Sequence, residues 1–190
     1  MTPLRIDDVS RQPWHNGGGR TRELLAWPDP SRWRFRISVA DIETDGPFSA
    51  FPGVQRWFAL LDGAGVELTI DGLPERATRD GVPLSFSGAA VTTCRLLDGP
   101  TLDLNLMLRD IPGRMLTVVD GGAWRPSLAQ CGLFTADAGL CVADGVATPV
   151  PSHALLWFEH APAGLSFETV QHSASARGWW LEAGVPGSCR

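Results

Sequence analysis

The sequence contains no tyrosine, so its aromatic packing falls to eight tryptophans and eight phenylalanines. It has no block of clustered basic residues and a net charge of -5. That argues against nucleic acid as the main partner, because phosphate binding draws its affinity from concentrated positive charge. The longest wholly apolar runs, such as Trp57-Phe58-Ala59-Leu60-Leu61 and Ala154-Leu155-Leu156-Trp157-Phe158, are far shorter than the ~20 residues a membrane-spanning helix needs, so no membrane partner is expected. Met1 to Ser10 lacks the basic segment and apolar run of a secretory signal, and a cytoplasmic location is the expectation.

Other absences narrow the chemistry. Cys94, Cys131, Cys141 and Cys189 form no CxxC pair and have no histidine at zinc-finger spacing. Free thiols are expected, with a Cys131 to Cys141 disulfide as the minor alternative. His15, His153, His160 and His172 show no H-x-H or H-x-x-x-H spacing on a strand with a nearby glutamate, so neither a metal nor another cofactor is expected. Gly17-Gly18-Gly19-Arg20-Thr21 is not a P-loop, since the G-x-x-x-x-G-K-[ST] pattern is missing. Ser49 has no G-x-S-x-G elbow, and no cysteine has the setting of an activated thiolate. No long helical stripe exists. Ser10 to Trp14 and Gly19 to Leu25 each have room for one helical turn, limited by Pro13 and the glycines.

What is present is strand and turn. With 190 residues and 44% hydrophobic content, the chain can bury a full core as one compact domain or two tightly fused halves. Trp33, Phe35, Ile37 and Val39 alternate with Arg34, Arg36, Ser38 and Ala40, which is a strand at period two. Val66 to Ile70 and Leu102 to Leu108 alternate likewise, and Leu165 to Val170 does so more weakly. Ala154 to Phe158 and Leu116 to Val119 suit strands buried on both faces. Asp-Gly recurs at Asp45, Asp62, Asp71, Asp80, Asp98, Asp120 and Asp144, a dipeptide favoured in the tight turns between antiparallel strands. The fold class is therefore all-β, a sandwich or barrel. A composition shift at Ile111-Pro112-Gly113 divides the chain into 1–110, which carries the polar motifs, and 111–190, which reads mainly as scaffold.

Three segments in the first half carry candidate chemistry. Trp14-His15-Asn16-Gly17-Gly18-Gly19-Arg20-Thr21-Arg22-Glu23 holds three consecutive glycines, costly to order unless their backbone closes over a ligand or another strand. A flexible tip is the plainer alternative. Asp45 to Gly53 is a rigid loop in which Phe48 and Phe51 bracket Ser49, suited to a pocket wall or to a plug over a barrel end. On Leu102 to Leu108 the leucines share one face, while Asp103, Asn105 and Met107 share the other. Set beside Arg36 and Ser38, that face suggests a polar cavity.

Two readings of the charges stand side by side. In one, Arg36 or Arg56 simply neutralises Asp103 or Glu23 inside the fold. In the other, arginine, amide and hydroxyl donors hold a small carboxylate, with the Gly17 to Gly19 backbone closing over it like a lid. The candidate binding residues are Asn16, Gly17, Gly18, Gly19, Thr21 and Glu23, then Arg36, Ser38, Phe48, Ser49, Phe51 and Arg56, and finally Asp103, Asn105 and Met107.

Taken in order, these motifs resemble the HutD/Ves family of bacterial proteins. The family's Trp, basic residue, Asn-Gly-Gly-Gly, Thr and Glu pattern is similar to Trp14 to Glu23, and its Trp-Arg-Ile-Ser-x-Ala strand to Phe35 through Ala40. The Asp-Gly-Pro-Phe-Ser-x-Phe-Pro-Gly loop is whole at Asp45 to Gly53. Arg56, Gly63-Ala64-Gly65, Phe86-Ser87-Gly88 and Leu97-Asp98-Gly99-Pro100 follow, and Asp-Phe-Asn-x-Met corresponds to Asp103 through Met107. His15 stands in place of lysine, Phe35 of tryptophan and Leu104 of phenylalanine. The last two exchanges are apolar, whereas His15 brings a group that titrates near neutrality.

The resemblance implies a cupin-like bicupin, two fused antiparallel β-barrels, of a kind that forms a homodimer readily. It implies a regulatory role in histidine utilisation through binding an intermediate such as formylglutamate or urocanate, or, on the Ves side, an association with stress. The leading expectation is a non-catalytic or weakly catalytic binder of a small carboxylate. An enzyme of the cupin superfamily and a purely structural barrel are the alternatives.

Overall fold

Asp71-Gly72 and Asp144-Gly145 show how this sequence makes its sheets. In each pair both residues take positive φ, 46° and 85° in the first and 47° and 80° in the second. That is the type I′ turn, whose twist matches the strands it joins and which asparagine, aspartate and glycine tolerate best. The computed structural model describes residues 2–170 and 177–186; His172 and Cys189 lie outside them. Among the described residues there is one 3-10 turn, Ile6–Asp8, and no α-helix, and none of the chain's helical structure is long and apolar enough to cross a membrane.

The strands in the first part of the chain are β1 (Leu4–Arg5), β2 (Gln12–Pro13), β3 (Gly19–Trp27), β4 (Phe35–Ile42), β5 (Gly46–Pro47) and β6 (Val54–Asp62). They continue with β7 (Val66–Ile70), β8 (Leu73–Ala77), β9 (Leu84–Ser87), β10 (Thr92–Leu96) and β11 (Thr101–Arg109). After them come β12 (Gly113–Thr117), β13 (Ala123–Trp124), β14 (Leu128–Thr135), β15 (Gly139–Ala143) and β16 (Val146–Val150). The last are β17 (Ala154–Phe158), β18 (Leu165–Thr169) and β19 (Gly178–Pro186).

Two compact units result. One is Val9–Asp110, and the other runs from Ile111 onward together with the first residues up to Asp8. The N-terminal strand thus belongs with the second half and not the first, because β1 pairs with β17 through Leu4 and Leu155. In the Val9–Asp110 unit a six-stranded sheet, β2-β3-β4-β11-β6-β9, packs on a four-stranded one, β5-β10-β7-β8. Ala40, Ile42, Phe58 and Leu60 of the first meet Val66, Leu68, Ala77 and Cys94 of the second. In the other unit the sheets are β1-β17-β14-β19-β12 and β13-β18-β15-β16. Leu133, Leu156 and Trp180 there pack against Cys141, Leu165 and Phe167. All pairings are antiparallel, and each sheet is open, with two edge strands, where closed barrels were expected.

Some local expectations are corrected. Gly19 to Leu25 is not a helical turn but the start of the long strand β3, held on β4 from Gly19↔Ile42 to Trp27↔Phe35. Tertiary pairing wins there over a locally irregular sequence. Leu116 to Val119 is not buried on both faces, because Val118 enters the core while Val119 is 73% exposed. Cys131 and Cys141 share one core cluster as free thiols, and burial pushes them up to about 12 and about 11 respectively. Such thiols stay protonated and unreactive.

Candidate functional site

Register builds the site. Residues paired across antiparallel strands project to the same side, so three rows form on the inner face of the large sheet. One row is Ala26, Arg36, Met107, Arg56 and Phe86; the next is Glu23, Ser38, Asn105 and Phe58; the third is Thr21, Ala40, Asp103 and Leu60. The first two rows are rich in polar groups just where a core would place apolar ones. They open a cavity of about 520 Å³.

Arg36, Ser38, Arg56, Asn105 and Met107 form the deep wall of this cavity, and Asn16 and Thr21 line it nearer the rim. Phe48, Ser49 and Phe51 line it from the Asp45 to Gly53 loop, which acts as a wall. That loop is pinned at both aromatics, since Phe48 N donates to Thr92 O and Phe51 N to Gly88 O. The other candidates stand elsewhere. Gly17, Gly18 and Gly19 do not line the cavity, nor do Glu23 and Asp103.

The glycines turn a hairpin and form no lid. Gly17 has φ +72°, its N–H donates to Trp14 O, and Trp14 N donates to Gly19 O. A Cβ on Gly19 would lie 2.3 Å from Asp41 O and 3.2 Å from the Trp14 ring, so this position admits only glycine between β3, β4 and the indole. The result is that Trp14, His15 and Asn16 are carried to the cavity rim. Trp14 Nε1 donates to Thr21 Oγ1 at 2.7 Å and fixes the indole there. Gly18 borders a smaller adjoining pocket of about 160 Å³ that reaches Thr44, Asp45 and Cys94.

The two alternative fates of the charges are divided between two arginines. Arg36 Nε lies 2.8 Å from Glu23 Oε2, although its N–H is not aligned to make a hydrogen bond. Arg56 has no carboxylate partner among the described residues. It is 8% exposed, donates from one terminal nitrogen to Asn105 Oδ1 at 3.1 Å, and keeps a buried Nε without a partner. Its guanidinium lies over three rings, 4.9 Å from the centroid of Phe48, 5.1 Å from Phe86 and 6.0 Å from Phe51. Burial, then the neighbouring Arg36 charge, lowers it to about 10, so it remains a cation at neutral pH. Ring faces offset part of its desolvation, but its Nε–H is left without an acceptor.

Asp103 is fully buried and paired with neither arginine. Thr101 Oγ1 donates to its Oδ2 at 2.7 Å, and Oδ1 has no partner. Burial, opposed by the Thr101 bond and reinforced by Asp41, raises its pKa well above the ordinary carboxylate value. Burial therefore disfavours its ionised form. Arg34 was grouped with Arg36 and Ser38 by alternation, but it precedes β4 and donates outward to Asp110 O at 2.8 Å. Trp33 likewise escapes the alternation and packs with Val54 and Met107.

Sequence reasoning omitted several residues that line the cavity. Ala40 and Ile42 continue the Arg36, Ser38 alternation two and four residues further, a signal that was available. Phe58 follows Arg56 by two in the same manner. Gln12, Pro13, Trp14, His15 and Pro47 reach the rim through the hairpin and loop, which no periodicity reveals. No three His, Cys, Asp or Glu side chains converge as a metal site among the described residues.

The HutD family model matches residues 6–174. The chain belongs to the HutD family. It is 34% identical to protein Ves of Citrobacter koseri over 162 residues, covering 73% of this chain and 82% of that one. An uncharacterized protein encoded in the hutC 3′ region of Pseudomonas putida is 41% identical over 106 residues, 55% of this chain, and the match spans little more than half, 56%, of that relative. HutD of Pseudomonas fluorescens SBW25, solved in a formate condition, superposes with a TM-score of 0.82 at 27% identity, covering 96% of this chain and 97% of that one. A cupin 2 conserved barrel domain protein from Leptotrichia buccalis, 12% identical with a TM-score of 0.57 over 97% and 96% of the two chains, shares the fold alone. This HutD-family chain is thus all-β and cupin-like in fold.

Proposed function

We propose that this HutD-family chain binds a small carboxylate in the cavity of its Val9–Asp110 unit and acts as a regulatory binding protein in histidine utilisation. One observation carries the reading. Arg56 is a buried guanidinium with a single side-chain hydrogen bond and no carboxylate partner among the described residues, and an isolated buried charge is costly unless it meets its complement. A ligand carboxylate supplies that complement, with Ser38 and Asn105 placed beside it on the same wall.

Support for the chemistry comes from the relative named HutD, solved in a formate condition, and support for the process from the relative encoded beside hutC. Formylglutamate and urocanate are the intermediates proposed as ligands. The same reading places the chain in a bicupin arrangement in the cytoplasm and able to form a homodimer, with no catalytic step assigned to it.

Calorimetric titration with formate, glutamate, formylglutamate and urocanate tests the reading. Heat is expected with at least one acid, and Arg56→Ala is expected to weaken that binding by about 30- to 100-fold, the loss of a charge-assisted contact. No heat with any of the four in the parent protein overturns it.

A further inference from the structure

The chain has two asparagines, Asn16 and Asn105, and both line the cavity. Their chemical settings are opposite. Asn105 is 5% exposed, accepts from Arg56, and is followed by Leu106 on a strand paired along both sides. Asn16 is exposed in the rim hairpin and is followed by Gly17 and Gly18. The backbone nitrogen after an asparagine is a nucleophile within reach of its side chain, and a glycine there leaves that nitrogen unshielded because it has no Cβ.

Geometry in the hairpin favours that attack. Gly18 N donates to Asn16 Oδ1 at 3.1 Å, which folds the carboxamide back over the Gly17 amide lying between them. The same N–H polarises the Cγ–Oδ1 bond and is placed to hold the charge that develops on Oδ1 when Cγ is attacked. A Cβ on Gly17, at φ +72°, would meet nothing within 4 Å, so water has access to the turn. One restraint acts the other way. Gly17 N–H donates to Trp14 O at 3.1 Å and must leave that carbonyl before its nitrogen reacts, so the folded hairpin converts more slowly than a free peptide of the same sequence.

We propose that Asn16 is a site of spontaneous deamidation, and that its conversion to a carboxylate weakens anion binding in the cavity behind it. The Gly17 nitrogen bonds to Asn16 Cγ and loses its proton to water, the Cγ–Nδ2 bond breaks, and Nδ2 leaves as ammonia. Water then opens the cyclic imide at either carbonyl, giving aspartate or isoaspartate. One water is consumed, one ammonia is released, and nothing is oxidised or reduced. The product sets a negative charge at the rim of a cavity whose wall carries Arg36 and Arg56, where it repels an incoming acid. That consequence rests on the carboxylate reading above, whereas the modification does not.

The test incubates the full chain in alkaline buffer beside a synthetic peptide of residues 12–20, with tryptic mapping over time. The Gln12 to Arg20 fragment is expected to exchange NH2 for OH at Asn16, more slowly than the free peptide, and to take up heavy oxygen from labelled water. The Leu96 to Arg109 fragment, which contains Asn105, is expected to stay unchanged. A Gln12 to Arg20 fragment still intact when the free peptide has fully converted overturns the modification, as does equal conversion at Asn105. Calorimetry of Asn16→Asp beside the parent, with formate and formylglutamate, reads the consequence. Binding about 3- to 10-fold weaker at low salt is expected, with the gap closing as salt is added. Equal affinities overturn the effect on binding and leave the carboxylate reading standing. No heat in the parent removes the carboxylate reading and the binding effect together, while the mapping still decides the modification.

Discussion

The two units share one plan, a sheet of long strands packed on a short four-stranded sheet closed by an Asp-Gly hairpin, yet they treat buried charge in opposite ways. In the unit built from Ile111 onward, Glu182 is 1% exposed and fully engaged. It accepts from Arg114 Nε, from the Ser127 N–H and hydroxyl, and from Leu128 N. In the Val9–Asp110 unit Arg56 is nearly as buried and has Asn105 alone. The difference separates two uses of a buried charge: the satisfied one holds strands together, whereas the under-satisfied one is the feature on which the proposed binding site rests. The chain contains no lysine, its 16 basic residues all being arginine, so every cation drawn inside presents a planar fork suited to carboxylates.

Breaking the satisfied side gives the largest effect. Glu182→Ala leaves a half-exposed guanidinium and two backbone N–H groups without their acceptor, and is expected to destabilise by about 3–5 kcal/mol. Thermal unfolding followed by circular dichroism checks it, and a fall in Tm of only a degree or two contradicts the comparison. Next comes the rim hairpin of the cavity unit. Gly19→Ala drives a methyl into the Asp41 carbonyl and is expected to cost about 3 kcal/mol. Gly17→Ala meets nothing within 4 Å and pays only for its φ of +72°, about 1 kcal/mol. Equal losses at the two glycines in urea unfolding contradict the account of the hairpin.

Asp103→Asn sharpens the contrast through pH. Because the folded state raises the Asp103 pKa, it binds a proton that the unfolded chain releases near pH 4. Stability is therefore fully present below that value and falls as pH rises toward the raised pKa. The asparagine variant retains an acceptor for Thr101 and removes this slope, so it is expected to gain on the parent as pH rises; a melting series from pH 4 to 8 that stays parallel to the parent contradicts it. Smallest is Arg56→Met. Replacing an under-satisfied buried cation by an apolar chain of similar length is expected to leave stability within about 1 kcal/mol, or to raise it, while carboxylate binding is lost. Destabilisation comparable to Glu182→Ala would show that Arg56 is structural.

Much of this was legible in the sequence, for reasons specific to particular residues. The alternation in Leu102 to Leu108 places Asn105 and Met107 on the cavity face, because a central strand paired on both sides keeps strict period two. Arg36 and Ser38 follow for the same reason. The strand β3 was hidden because its charged residues fall on both faces: Glu23 pairs with Arg36, while the 2% exposed Arg22 donates to Asp41 at 2.8 Å. Such cross-strand ion pairs leave no hydrophobic period to read. Asp103 is on the expected face, in register with the cavity-lining Ala40, but its side chain is fully buried and does not reach the cavity. The division of roles between Arg36 and Arg56 depends on which of them meets Glu23 across strands, and register of that kind is a tertiary fact.

The Trp14 hairpin also gives the protein an optical signature. Of the eight indoles in a chain without tyrosine, only Trp14 lines the cavity, and its Nε1–H is tethered to Thr21. A ligand entering beside it is expected to change the emission of that fluorophore, so occupancy is readable without a label, and Trp14→Phe removes that contribution.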